Sequence, residues 1–147
     1  MEIFKELPTV DIILVPVGGG GLATGVSTLA KMLNPKIQVI GVEPAKANCL
    51  QESLKAGKVV TLPAVDTIAD GTAVKTPGSN IFKYLQKNLD GVITVEDEEL
   101  IGSFLDIVEN HKMIVENSGL LTVAALKHLD CKNKKIVSIL SGGESVR

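Results

Sequence analysis

The chain has 147 residues, 45% of them hydrophobic, and its 15 basic and 17 acidic side chains leave a net charge of −2. That is one domain's length with material for a sizeable core. There is no basic block of the kind nucleic acid selects and, with three Phe and one Tyr, no base-stacking platform. No apolar run is long enough to span a bilayer, and the N-terminal MEIFKELPTVD lacks a signal-peptide core. Two distant cysteines, Cys49 and Cys131, without partners at metal spacing, fit a reducing cytoplasm.

In chain order, residues 12–17 form a continuous apolar run, the pattern of a parallel strand buried on both faces. Four glycines follow, Gly18 to Gly21, and then a helical pattern with Leu22, Val26, Leu29, Ala30 and Leu33 on one face, stopped by Asn34-Pro35. Residues 37–42 read as the next strand, followed by Glu43-Pro44 and a helix over 47–56 ended by Gly57. The stretch 58–80 carries turn formers at Pro63, Asp70-Gly71 and Pro77-Gly78, and reads as an irregular excursion. A loop of that length in a compact domain is usually functional. Residues 81–89 read as a short helix, 91–95 as a strand, and residues 94–97 as a capping box. The following helix is expected to bury Leu100, Ile101, Phe104, Leu105, Ile107 and Val108. Asn117 or Ser118 caps a last helix over 120–129, and 135–140 is a final strand that ends at Ser141-Gly142-Gly143.

Alternating strands and helices imply an α/β fold, a mostly parallel sheet with helices on both faces, formed by one domain over residues 1–147. Such sheets bind ligands beyond the carboxyl ends of their strands, where both glycine-rich segments fall. Glycines ahead of a helix expose backbone N–H groups at the positive end of its dipole, a place for an anion such as phosphate. A ligand-free strand-to-helix turn would need only one or two glycines. The P-loop motif is not met, because Gly20 and Gly25 are followed by Val26-Ser27 rather than Lys-Ser/Thr. The dinucleotide fingerprint matches weakly, through Gly18, Gly20 and Ala23, with Glu43 where a ribose-binding acid would stand.

VPVGGGGLATG resembles the cofactor-phosphate loop of the fold-type II pyridoxal-phosphate enzymes. VIGVEP (39–44), TIADGTAVKTPG (67–78), VENSGLLTVAAL (115–126) and VSILSGG (137–143) occur in the same order in the threonine ammonia-lyase (threonine dehydratase) and serine racemase family. The wording is closest to the bacterial catabolic threonine dehydratases. The resemblance implies pyridoxal 5'-phosphate as cofactor and a threonine or serine substrate. It implies that the backbone of Gly18, Gly19, Gly20, Gly21 and Leu22 holds the phosphate, that Ser141 meets the pyridine nitrogen, and that Gly71 lines the site. Glu116 would lie near the ring, or serve only as a first-turn helix acid. Metal-binding relatives use a Glu, a backbone carbonyl four residues on and an Asp two beyond. Here Glu43 and Ala47 match and Cys49 replaces the Asp, so no metal is expected.

The family's Schiff-base lysine lies in a Ser-x-Lys-x-Arg-Gly segment that this chain lacks, and Lys5 does not match it. The resemblance therefore covers the C-terminal part of the catalytic domain, with Glu144 where relatives carry Asn. It implies an N-terminal half supplied elsewhere, a homo-oligomer, and no turnover by this chain alone. Alternatives are a serine racemase-type chain, a non-catalytic phosphate- or cofactor-binding module, and an NAD-binding dehydrogenase domain.

Overall fold

The computed structural model describes residues 1–142; Gly143 and Glu144, singled out above, lie outside the described residues. Among these, the elements run α1 (Glu2–Glu6), β1 (Ile12–Pro16), α2 (Gly21–Leu33), β2 (Gln38–Pro44), α3 (Cys49–Ala56), α4 (Ser79–Asn88), β3 (Gly91–Val95), α5 (Asp97–Asp106), α6 (Asn117–Ala125) and β4 (Ile136–Ser138). All strand pairs are parallel, in the order β3-β2-β1-β4, with Ile12 opposite both Gln38 and Ile136. The sheet grows outward from β1 to β2 and β3, then returns to lay β4 on the other side of β1. The crevice between the carboxyl ends of β1 and β4 is thus the topological switch point, where open α/β sheets hold ligands.

Every residue of β1 is buried, and its side chains alternate between two cores. Ile13 and Val15 join Ala23, Ala30, Leu50, Phe82 and Leu85 from α2, α3 and α4. Ile12 and Leu14 join Leu100, Leu120, Leu121, Ala124 and Ala125 from α5 and α6. Helices therefore cover both faces, as the alternating pattern predicts.

Two buried faces differ from expectation. In α2 the buried residues are Ala23, Ser27 and Ala30, while Leu22 and Leu33 are 46% and 51% exposed. Small residues let the helix sit close on the sheet, and Leu22, Val26 and Leu29 turn sideways into a groove shared with α1 and the edge of β4. In α5 only Leu100 and Ser103 are buried, with Ile107 just beyond it; Ile101 and Leu105 are each 54% exposed, and Phe104 lies at the surface too. Periodicity finds an apolar stripe but not what lies against it.

Boundaries shift for local reasons. The capping box sits two residues later than expected: Glu96 is the cap and the Glu99 carboxylate accepts from the Glu96 N–H at 2.8 Å. The last helix starts earlier, with Glu116 as its cap. Gly57 ends α3 in the left-handed conformation (φ 70°), as predicted for a glycine at that position.

Candidate functional site

The loop after β1 is built by four glycines with different jobs. Gly20 has φ 98°, the left-handed region, and a Cβ there would fall 2.8 Å from Leu85 Cδ1. A Cβ on Gly18 would lie 3.0 Å from the Gly71 carbonyl oxygen. These two glycines serve the turn and its packing. Gly19 and Gly21 have open space where a Cβ would stand, so nothing structural requires them. They leave the main chain bare toward the crevice. Helix α2 begins at Gly21, runs 13 residues and has no acidic side chain in its first turn, so its positive end is uncompensated.

The opposite wall comes from β4 and α6. Thr122 Oγ1 donates to the Ile139 carbonyl at 3.0 Å, and Ser138 Oγ donates to the Thr122 carbonyl at 3.3 Å, clasping α6 to the end of β4. Gly119 permits that approach, since a Cβ there would be 2.6 Å from the Ser141 carbonyl oxygen. Gly142 has φ 97°, and any side chain on it would overlap the Glu116 carboxylate. Ser141 and Glu116 are therefore held side by side by two glycines on neighbouring segments.

The excursion closes the third side. It touches the glycine loop twice, through Gly71 against Gly18 and through the Gly78 N–H, which donates to the Gly19 carbonyl at 3.0 Å. Its turn at Asp70–Thr72 places Gly71 beside Ser118 and Glu116.

The result is a polar cleft of about 290 Å³ lined by Gly18, Gly19, Gly20, Gly21, Leu22, Gly71, Glu116 and Ser141. All eight residues named above as cofactor-binding or ring-facing meet in it. The cleft also takes in Gly142, which the glycine-rich end of the final strand had placed at this edge, and Pro16, Thr72 and Ser118, which sequence reasoning missed. Thr72 and Ser118 stand one residue after Gly71 and two after Glu116, so a search of the motifs' immediate neighbours would have found them.

Glu43 does not join the cleft. It is fully buried, and its two carboxylate oxygens accept from the N–H groups of Leu50 (2.9 Å) and Gln51 (2.8 Å) at the start of α3. The Cys49 thiol lies 3.8 Å from the same carboxylate. Burial pushes the Glu43 carboxyl up to about 7, against which the two amide donors act only partly. Burial, and then the Glu43 charge, push the Cys49 thiol up to about 12, so it stays protonated at neutral pH. A carboxylate committed to two amides and a protonated thiol do not fit a divalent cation, and Ala47 beside them is itself buried. Among the described residues no group of three or more His, Cys, Asp or Glu could hold a metal. Nor is a carboxylate in this setting turned to a ribose at the crevice. A direct consequence is selective thiol chemistry: in the native chain a thiol reagent at pH 8 should modify exposed Cys131 promptly and buried Cys49 only on denaturation. Equal rates for both in native protein would contradict this environment.

The chain is similar to known proteins over nearly all of its length. The chain is 40% identical to an L-threonine ammonia-lyase of Thermotoga maritima over 97% of its own length and 36% of that protein's. It is 35% identical to the catabolic L-threonine dehydratase TdcB of Escherichia coli, covering 97% of itself and 45% of the relative. The structure of maize serine racemase superposes with a TM-score of 0.90 at 36% identity, over 97% of this chain and 45% of that one. The chain thus spans less than half the length of these relatives. Residues 1–142 match the profile of the family described as pyridoxal-phosphate dependent enzyme, and the chain belongs to that family.

Proposed function

We propose that this chain is the cofactor-binding part of a pyridoxal-phosphate-dependent threonine/serine ammonia-lyase. The observation that carries the reading is the convergence of Gly18–Leu22, Gly71, Glu116 and Ser141 on one cleft at the switch point. When bound, the cofactor supplies the electron sink that lets a hydroxyl leave from the carbon next to the amino-bearing one. The chain's own residues bind and orient. Backbone N–H groups of the glycine loop and the start of α2 hold the phosphate. Ser141 offers a hydroxyl to the ring nitrogen; unlike a carboxylate, it does not enforce protonation there, which favours elimination over amino transfer. Glu116 stands beside the ring.

No lysine of the chain matches the family's covalent attachment segment, so the lysine and the grip on the substrate carboxylate come from another polypeptide segment. An apolar groove of about 630 Å³ between α1, α2 and β4, with Ile3, Phe4, Leu22, Val26 and Val137 on its walls, is the surface that this segment covers. Accordingly, purified chain alone should not deaminate threonine and should self-associate on light scattering. Turnover by the lyase-free chain would refute the division of labour.

Thermal unfolding with separate additions of pyridoxal phosphate, inorganic phosphate and NAD tests the binding reading. Pyridoxal phosphate at a hundredfold excess over its dissociation constant should stabilise by about 2.7 kcal/mol. Ser141→Ala should weaken the response to pyridoxal phosphate and leave that to inorganic phosphate unchanged, because the hydroxyl meets the ring only. Stabilisation by NAD alone would favour a dinucleotide domain instead.

A further inference from the structure

Thr72 and Ser118 are both only 5% exposed, yet both line the cleft. Their hydroxyl oxygens are 3.3 Å apart. Thr72 Oγ1 also donates to the Ala69 carbonyl at 3.0 Å, within its own turn. A hydroxyl has one proton, so with Thr72 donating to Ala69 the shared bond is donated by Ser118. The chain of donors runs Ser118 to Thr72 to Ala69, from helix α6 into the turn that carries Gly71.

Other ties from the excursion to the helices lie nearer the surface or, like the Val60 N–H that donates to the buried Ser53 hydroxyl at 2.8 Å, away from the cleft. Thr67 Oγ1 donates to Asp97 at 2.6 Å, and Asn117 Nδ2 donates to the Ile68 carbonyl at 3.1 Å. Among the described residues, only the hydroxyl pair is both buried and at the cleft. Gly71 is packed between its members and the glycine loop: a Cβ on Gly71 would meet Ser118 Oγ at 3.0 Å, and a Cβ on Gly18 would meet the Gly71 carbonyl oxygen and Thr72 Cα at 3.0 and 3.3 Å. A displacement of the turn therefore moves a wall of the cleft.

We infer that Thr72 and Ser118 form a buried hydroxyl latch that locks the Asp70–Thr72 turn against the glycine loop, and that both are positioning residues for the ligand of the cleft. The latch acts through Gly71 rather than by covalent chemistry. Its effect on pyridoxal phosphate rests on the function proposed above; its effect on the turn does not.

Two measurements on the full chain separate these parts. Amide hydrogen exchange reads the turn without ligand, at the Thr72 N–H bonded to Ala69 and the Ala73 N–H bonded to Asp70. Thr72→Val keeps the shape and removes the hydroxyl; Thr72→Ser keeps the hydroxyl; Ser118→Ala removes the other partner should Thr72→Val not fold. Thr72→Val and Ser118→Ala should speed exchange at these amides by about fivefold, the worth of one hydrogen bond, with Thr72→Ser close to wild type. The dissociation constant for pyridoxal phosphate should rise by about five- to tenfold in the first two variants and stay within about twofold in Thr72→Ser. Wild-type exchange in both hydroxyl-deleted variants would overturn the latch. Faster exchange with unchanged affinity would overturn the positioning role. If the wild-type chain gives no response to pyridoxal phosphate, binding by this chain alone is refuted together with the positioning role in it, and the exchange data decide the latch.

Discussion

Between pH 4.5 and about 7 the folded chain should lose about 3 kcal/mol of stability through Glu43, a loss that Glu43→Gln abolishes. The carboxyl titrates near 4.5 when unfolded and near 7 when folded, because folding removes it from water. Below 4.5 it is protonated in both states, and its contribution is fully present. Above 4.5 the unfolded chain releases the proton while the folded chain keeps it, so stability falls by about 1.4 kcal/mol per pH unit until the folded group also ionises. The Gln variant keeps one acceptor for the α3 amides and sets an amide N–H₂ against the other, so it starts less stable at low pH. The gap should close as pH rises. Denaturant midpoints of both proteins from pH 4 to 8 measure it, and parallel curves would show that Glu43 is not the titrating group. The physical cause is one-sided: two N–H donors at a helix start stabilise the charge, but they do not replace the water lost around a fully buried carboxylate.

The second large effect separates two adjacent glycines. Gly20→Ala should cost about 2–4 kcal/mol, because φ 98° strains any L side chain and its Cβ meets the buried Leu85 and half-buried Ile81 side chains. For a chain of this length that is a fall in melting temperature of roughly 10 °C. Gly21→Ala should leave stability within about 0.5 kcal/mol, since its Cβ meets no atom within 4 Å and alanine favours a helix. Its methyl group stands where a phosphate approaches the main chain, so affinity for pyridoxal phosphate should drop by about tenfold, or 1.4 kcal/mol. Calorimetric melting of both variants with and without the ligand distinguishes them. Equal destabilisation would mean that Gly21 serves the turn as Gly18 and Gly20 do, which would remove the main argument for a ligand there.

Much of the site was readable in advance because it is carried by main chain. A run of glycines between an apolar strand and a helix start has few structural uses, and its place at the carboxyl end of β1 follows from chain direction alone. Gly71 and Glu116 came only from resemblance, as did the role of Ser141, whose place at the end of the last strand was legible from the pattern. Nothing in the spacing 71, 116, 141 says that these residues meet, and it takes the return of β4 to the free side of β1 to bring them together. Glu43 shows the opposite limit. A strand-end acid suits a ribose, a metal or a helix cap equally well, and only the direction in which α3 starts decides for the cap.

By itself, then, the sequence determined the strands, the helices and the glycine turn, because apolar runs, period-3.6 stripes and turn residues are local in the chain, and their alternation implied a parallel sheet although its pairings are long-range. The tertiary structure alone decided which apolar stripes are covered. Leu22, Leu33, Ile101 and Leu105 carry the same hydrophobic signal as Leu50, Leu100 and Leu120, but packing density favours small Ala23, Ser27 and Ala30 against the sheet. It also decided which polar groups are partnered. The bond between Thr72 and Ser118 joins residues 46 positions apart, a distance at which no local pattern leaves a trace.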